Sequence, residues 1–157
     1  MVRPLRAFCA VLLAFGLFGC DHATKAVATR SLARAIAIEP GILELHYVRN
    51  DDVAFNAFQR LGVPHSPLLL AAVMLLALSV AVAFFVAQRR SASRLDLVAA
   101  ACIVGGALGN VVDRIARGFV VDFIHLRGWP VFNVADIAVV VGVGLLALGR
   151  MRKRRAT

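Results

Sequence analysis

The residues able to do chemistry in this chain are carboxylates set into apolar sequence. An ionisable group placed within a membrane segment costs about 2.5–3.5 kcal/mol to insert, which makes each one a functional candidate by default. Asp21 and Lys25 sit four apart, acid before base, the order that favours an ion pair on one helix face. Asn110 and Asp113 are three apart, with Arg114 directly after them, and Asn133 and Asp136 repeat the three-residue spacing. Asp122 stands between Val121 and Phe123 in a β-branched stretch with no adjacent base. Each group also has a plainer explanation. Asp21–Lys25 can be an interfacial pair with a snorkelling lysine, and Asn110–Asp113–Arg114 a polar helix end. Asn133 can be an N-cap with Asp136 favoured by the helix dipole, and Asp122 a solvated strand edge. Convergence changes the chemistry. Carboxylates a few Å apart in a partly dry site cannot all ionise, so one acid stays protonated beside an ionised one. Such a pair, titrating as a unit, suits aspartyl proteolysis: the ionised member takes a proton from water while the protonated member polarises a carbonyl.

The elements that must bring these groups together are membrane helices. The chain has 157 residues, of which 61% are apolar and 17% charged. A typical soluble domain is about 45–50% apolar. With a mean hydropathy of +0.81, the solvent for most of this surface is lipid. Four spans are expected, at about 5–28, 67–87, 95–112 and 134–149, some of them short against the ~20 residues that cross a bilayer. They form a four-transmembrane-helix bundle built as one domain over 1–157, with a small periplasmic β-structure. The net charge of +9 gathers at the ends of apolar runs without aromatic interleaving, which argues against nucleic acid and for topology signals. Arg3, Arg6, Arg89, Arg90, Arg94 and the basic residues of 150–155 form one dense set, placing both termini in the cytoplasm. Segments 29–66 and 113–131 are then periplasmic, and all the acids except Asp96 lie at or beyond the outer edge. Within the first segment, Ile42, Glu44, His46 and Val48 alternate with Leu43, Leu45 and Tyr47, the period of a strand. The run Gly105-Gly106-Ala107-Leu108-Gly109 would let a neighbouring helix approach closely.

Cys9 and Cys102 are expected as small buried hydrophobes. His22, His46, His65 and His125 show no ligand spacing, so neither metal nor cofactor is expected. Leu17-Phe18-Gly19-Cys20 resembles a lipobox, the mark of a lipoprotein substrate lipidated at Cys20. Three further spans follow it, which favours the end of helix one. A small transporter or proton channel is the alternative from another class. It predicts polar groups spread through the membrane depth, whereas here the second span holds no charge and the acids stop at one edge.

Five blocks in order carry a resemblance: Asp21-His-Ala-Thr-Lys25; Tyr47-Val-Arg-Asn50 with Ala54-Phe55; Gly105 to Arg114; Gly118-Phe-Val-Val-Asp122-Phe123; and Phe132-Asn-Val-Ala-Asp136. Together they resemble the signal peptidase II family over nearly the whole chain. The resemblance implies an intramembrane aspartic peptidase of the inner membrane that cuts diacylglyceryl-modified prolipoproteins before the lipidated cysteine. It assigns Asp122 and Asp136 as the catalytic pair and Asp21, Lys25, Asn50, Asn110, Asp113, Arg114 and Asn133 as residues that shape the site. It also implies a loop that moves over the site, membrane lipid and prolipoprotein as partners, and a monomer. One block departs from the family's Asn-x-Gly-Ala-Ala-Phe. Here Asn50-Asp51-Asp52-Val53-Ala54-Phe55 places Asp52 where the glycine is usual, adding charge and removing backbone freedom.

Overall fold

The computed structural model describes residues 2–32, 34–51, 66–88 and 92–155. The block around Asp52, the segment containing His65, and Arg89 and Arg90 lie outside the described residues. In chain order the elements are α1 (Val2–Ser31), β1 (Ile36–Glu39), β2 (Leu43–Asn50), α2 (Pro67–Gln88), α3 (Arg94–Arg117), β3 (Val120–Leu126) and α4 (Val134–Arg155). Among the described residues, α1, α3 and α4 are long and apolar enough to cross a membrane, and α2 carries an apolar stretch over Leu68–Ala83.

α3 is the central helix, packed against α1, α2 and α4. Its ends are encoded locally. Ser93 caps the N-terminus and Asp96 reaches back to the Ser93 N–H, a reciprocal capping box. The helix runs on beyond the apolar stretch 95–112 to Arg117, where Gly118 takes a left-handed φ of 79° and donates its N–H to the Arg114 carbonyl. Glycines set the helix separations. A Cβ on Gly105 would stand 2.6 Å from the Ala14 carbonyl oxygen of α1, and one on Gly106 would collide with the Ala135 carbonyl of α4. Leu5, Phe8, Leu12 and Phe15 of α1 and Val140 and Val143 of α4 point outward. Cys102 is buried as expected, but Cys9 is exposed on this outward face of α1, where an apolar thiol suits lipid as well as a core.

The three strands form one antiparallel sheet in the order β1-β2-β3. Leu45, Tyr47, Ile124 and Val134 pack around Ala28, Leu32 and Phe123, seating the sheet on the end of α1. The expected alternation along β2 breaks in the middle. Leu45 pairs with Ile124, whereas Val48 pairs with Asp122, so β2 spends one residue more than β3 between the two pairs. This is a β-bulge. Directly paired residues share a face; Glu44 pairs with His125 and Val48 with Asp122, and those β3 partners are three apart, on opposite faces. Val48 therefore leaves the face of Glu44 and His46. Asn50, two residues further along, goes with it onto the face of Asp122.

After β3 the chain turns through Gly128, with φ of 79°, and Phe132 pairs back onto Ile124. That return delivers the start of α4 to the flank of β3.

Candidate active site

The last third of α1, the last turns of α3, the start of α4 and strands β2 and β3 meet in one polar cluster within an otherwise apolar chain. Asp21, Lys25, Asp113 and Asn133 are 1% exposed or less, and Asn110, Arg114 and Asp122 are also buried.

Its foundation is charged. Lys25 Nζ lies 2.7 Å from Asp21 Oδ2 and 3.0 Å from Asp113 Oδ2, and donates to Asn110 Oδ1 at 2.9 Å. The ammonium thus faces two carboxylate oxygens as ion pairs and one amide oxygen as a hydrogen bond. A buried charge is tolerated when paired and hydrogen-bonded in this way. The two acids bind further. Asp21 Oδ1 accepts the Ala135 N–H at 2.9 Å, tying α1 to the first turn of α4. Asp113 Oδ2 accepts the Val121 N–H, and Asp113 Oδ1 pairs with Arg117 at 3.2 Å, which ties α3 to β3. Arg114 is buried beside them on α3, and its carbonyl receives the Gly118 cap.

Above this foundation sit Asp122 and Asp136, joined by asparagines. Asn133 Nδ2 donates to Asp122 Oδ1 at 2.6 Å and also faces Asn110 Oδ1 and the Val121 carbonyl. Asn133 Oδ1 accepts the Asp136 N–H at 3.0 Å while the Asn133 N–H reaches Asp136 Oδ2 at 3.2 Å. The N-cap expected from the three-residue spacing is thus present, and its amide nitrogen serves the neighbouring acid. Asn110 Nδ2 donates to Asp136 Oδ1, and Asn50 Nδ2 to Asp122 Oδ2, both at 2.8 Å. The bulge in β2 makes the second of these bonds possible. Every oxygen of the two acids therefore accepts an amide N–H. Burial pushes the Asp122 carboxyl up to about 6, and the nearby Asp136 charge adds to the rise, while the Asn50 and Asn133 amides hold it down.

All nine residues expected at a site fall in this one cluster. The sequence reading did not single out Arg117, whose i,i+4 spacing from Asp113 was a usable signal, or the Ala135 and Val121 backbone N–H groups. The Asp52 substitution and the loop beyond it lie outside the described residues.

Comparison with known proteins agrees. The model of the family described as signal peptidase (SPase) II matches residues 13–152. A lipoprotein signal peptidase of Geobacter sulfurreducens is 36% identical over 161 aligned positions, covering 99% of this chain and 98% of that protein. One of Symbiobacterium thermophilum is 41% identical, covering 88% and 91%. A solved bacterial membrane enzyme superposes with a TM-score of 0.79 at 25% identity, covering 93% of this chain and 89% of that one.

Proposed function

The chain belongs to the signal peptidase II family, and from that premise we propose that it is an aspartic endopeptidase with Asp122 and Asp136 as its catalytic pair. Its substrates are diacylglyceryl-modified prolipoproteins, cut immediately before the lipidated cysteine. The observation that carries this reading is Asn133, which gives its side-chain amide to one acid and its backbone N–H to the other. Two carboxyls tethered to one residue are held within range to share a proton. A water between them loses a proton to the ionised member as it attacks the scissile carbonyl, whose oxygen is polarised by the protonated member. The proton then passes to the leaving amine. Asn50, Asn110 and Asn133 orient the carboxyls, and the Asp21–Lys25–Asp113 triad fixes α1, α3 and α4 beneath them.

The acids gather where α1 and α3 end and α4 begins, which fits a site at one edge of the bilayer, reached by water from the periplasm and by substrate from the lipid. In this reading α2 is a fourth span, both termini are cytoplasmic, and the protein acts as a single-domain monomer in the inner membrane, without cofactor. A relay for ions through the membrane would need polar groups along its depth; the clustering at one end favours the peptidase.

Incubating purified protein with a diacylglyceryl-modified prolipoprotein tests the proposal. Asp122→Asn and Asp136→Asn each reduce cleavage to background while the protein remains folded, and the unlipidated precursor stays intact. Substantial turnover by either variant would end the assignment of the pair.

A further inference from the structure

Glu44, His46 and His125 come together on the sheet away from the peptidase cluster. Glu44 and His125 are direct cross-strand partners on β2 and β3, and His46 is two residues along from Glu44, before the bulge completes its shift. The His46 and His125 rings meet edge to face with centroids 5.3 Å apart, and His125 Nδ1 lies 3.8 Å from Glu44 Oε2. One donor atom from each residue falls within 4.8 Å of the other two. His46 Nδ1 is buried and has no hydrogen-bond partner among the described residues. A buried imidazole nitrogen with an unused lone pair is the counterpart of a missing electrophile.

We infer that Glu44, His46 and His125 form a binding site for a divalent transition-metal ion of the zinc type, with the remaining position open to water. The donor set of two imidazoles and one carboxylate is one that zinc accepts, at bond lengths of about 2.0–2.2 Å. Three atoms within 4.8 Å of one another share a centre about 2.8 Å from each, so closing onto such an ion asks each side chain to swing inward by about 0.7 Å. The residues are only partly buried, which leaves both room to move and a path for the ion. Bound there, the ion would clasp β2 to β3, the strands that hold Asn50 and Asp122, without touching either. The linear sequence hides this site because its ligands become neighbours only through strand register.

The test uses the tag-free full chain in detergent, stripped with a chelator and titrated with Co2+ as a spectroscopic stand-in. One equivalent of Co2+ should produce the visible absorption of a four-coordinate site, be displaced by Zn2+, and raise the unfolding temperature. His46→Ala, His125→Ala and Glu44→Gln should each weaken binding by at least about tenfold. All three variants should still cleave the lipidated substrate, which separates loss of the site from loss of the fold. A titration with no spectral change in the parent chain, or a signal that survives in both histidine variants, overturns the inference. The outcome is independent of which residues perform the peptide cleavage.

Discussion

Asn133 is the residue through which the local fold and the chemistry can be separated, because it caps α4 and orients Asp122 with different atoms. Serine is an N-cap of comparable quality to asparagine, so Asn133→Ser keeps an acceptor for the Asp136 N–H and loses the amide that donates to Asp122 at 2.6 Å. A hydrogen bond to a charged group contributes about 1.5–3 kcal/mol. At about 1.4 kcal/mol per tenfold, kcat/KM should fall roughly ten- to hundredfold while the helix start remains in place. The same amide holds the Asp122 carboxyl down, so its loss should also move the alkaline limb of the pH–rate profile to higher pH. Rates of cleavage of a diacylglyceryl-modified prolipoprotein across pH, with circular dichroism and thermal unfolding as controls, read all three quantities. If the serine variant keeps the parental kcat/KM and the parental alkaline limb, Asn133 does not set the state of Asp122 and the proposed wiring of the pair is wrong.

Four further outcomes follow from the geometry. With Asp122 raised from 3.8 to about 6 beside a charged Asp136, the singly protonated pair forms below about 6, so cleavage should decline as pH rises through about 6, a limb that belongs to the coupled pair; a rate unchanged up to about pH 8 would contradict it. The linkage runs the same way for stability: burial favours the neutral acid, so the contribution of Asp122 is present below pH 4 and is lost as pH rises through about 6, which unfolding measured across that window should detect. Lys25→Met strands Asp21 and Asp113 as buried charges and should cost about 3–5 kcal/mol, seen as a collapse in unfolding temperature that adding Asp21→Asn and Asp113→Asn partly restores. Gly109→Ala sets a Cβ 2.5 Å from Asp21 Oδ2, whereas Gly144→Ala meets nothing within 4 Å; the first should lower stability and activity and the second should leave both unchanged.

What could be foreseen from the chain follows from how local each signal is. Spacing within one helix was legible: the four-residue step from Asp21 to Lys25 and the three-residue step from Asn133 to Asp136 form the pair and the cap they suggested. The small residues before Asn110 mark a close helix approach, as Gly105 and Gly106 bear out. Signals that depend on register were not legible. Strict alternation put Val48 with Glu44 and His46, and a single extra residue in β2 undid it. For the same reason Glu44, His46 and His125 gave no ligand spacing along the chain. The end of α3 lies beyond the apolar run because hydropathy stops at the first charges, while the helix continues until Gly118 can turn left-handed. That Lys25 faces Asp113 and Asn110 as well as Asp21 is a property of helix packing, which no one-dimensional pattern contains.

The extra residue that β2 spends between Leu45 and Val48 has a genetic corollary. Removing one codon there would let β2 run without the bulge, with Leu45 still opposite Ile124 and Asn50 still on the face of Asp122. Along this stretch a one-residue deletion therefore keeps the wiring of the pair, a tolerance that a scan exchanging only side chains would pass over.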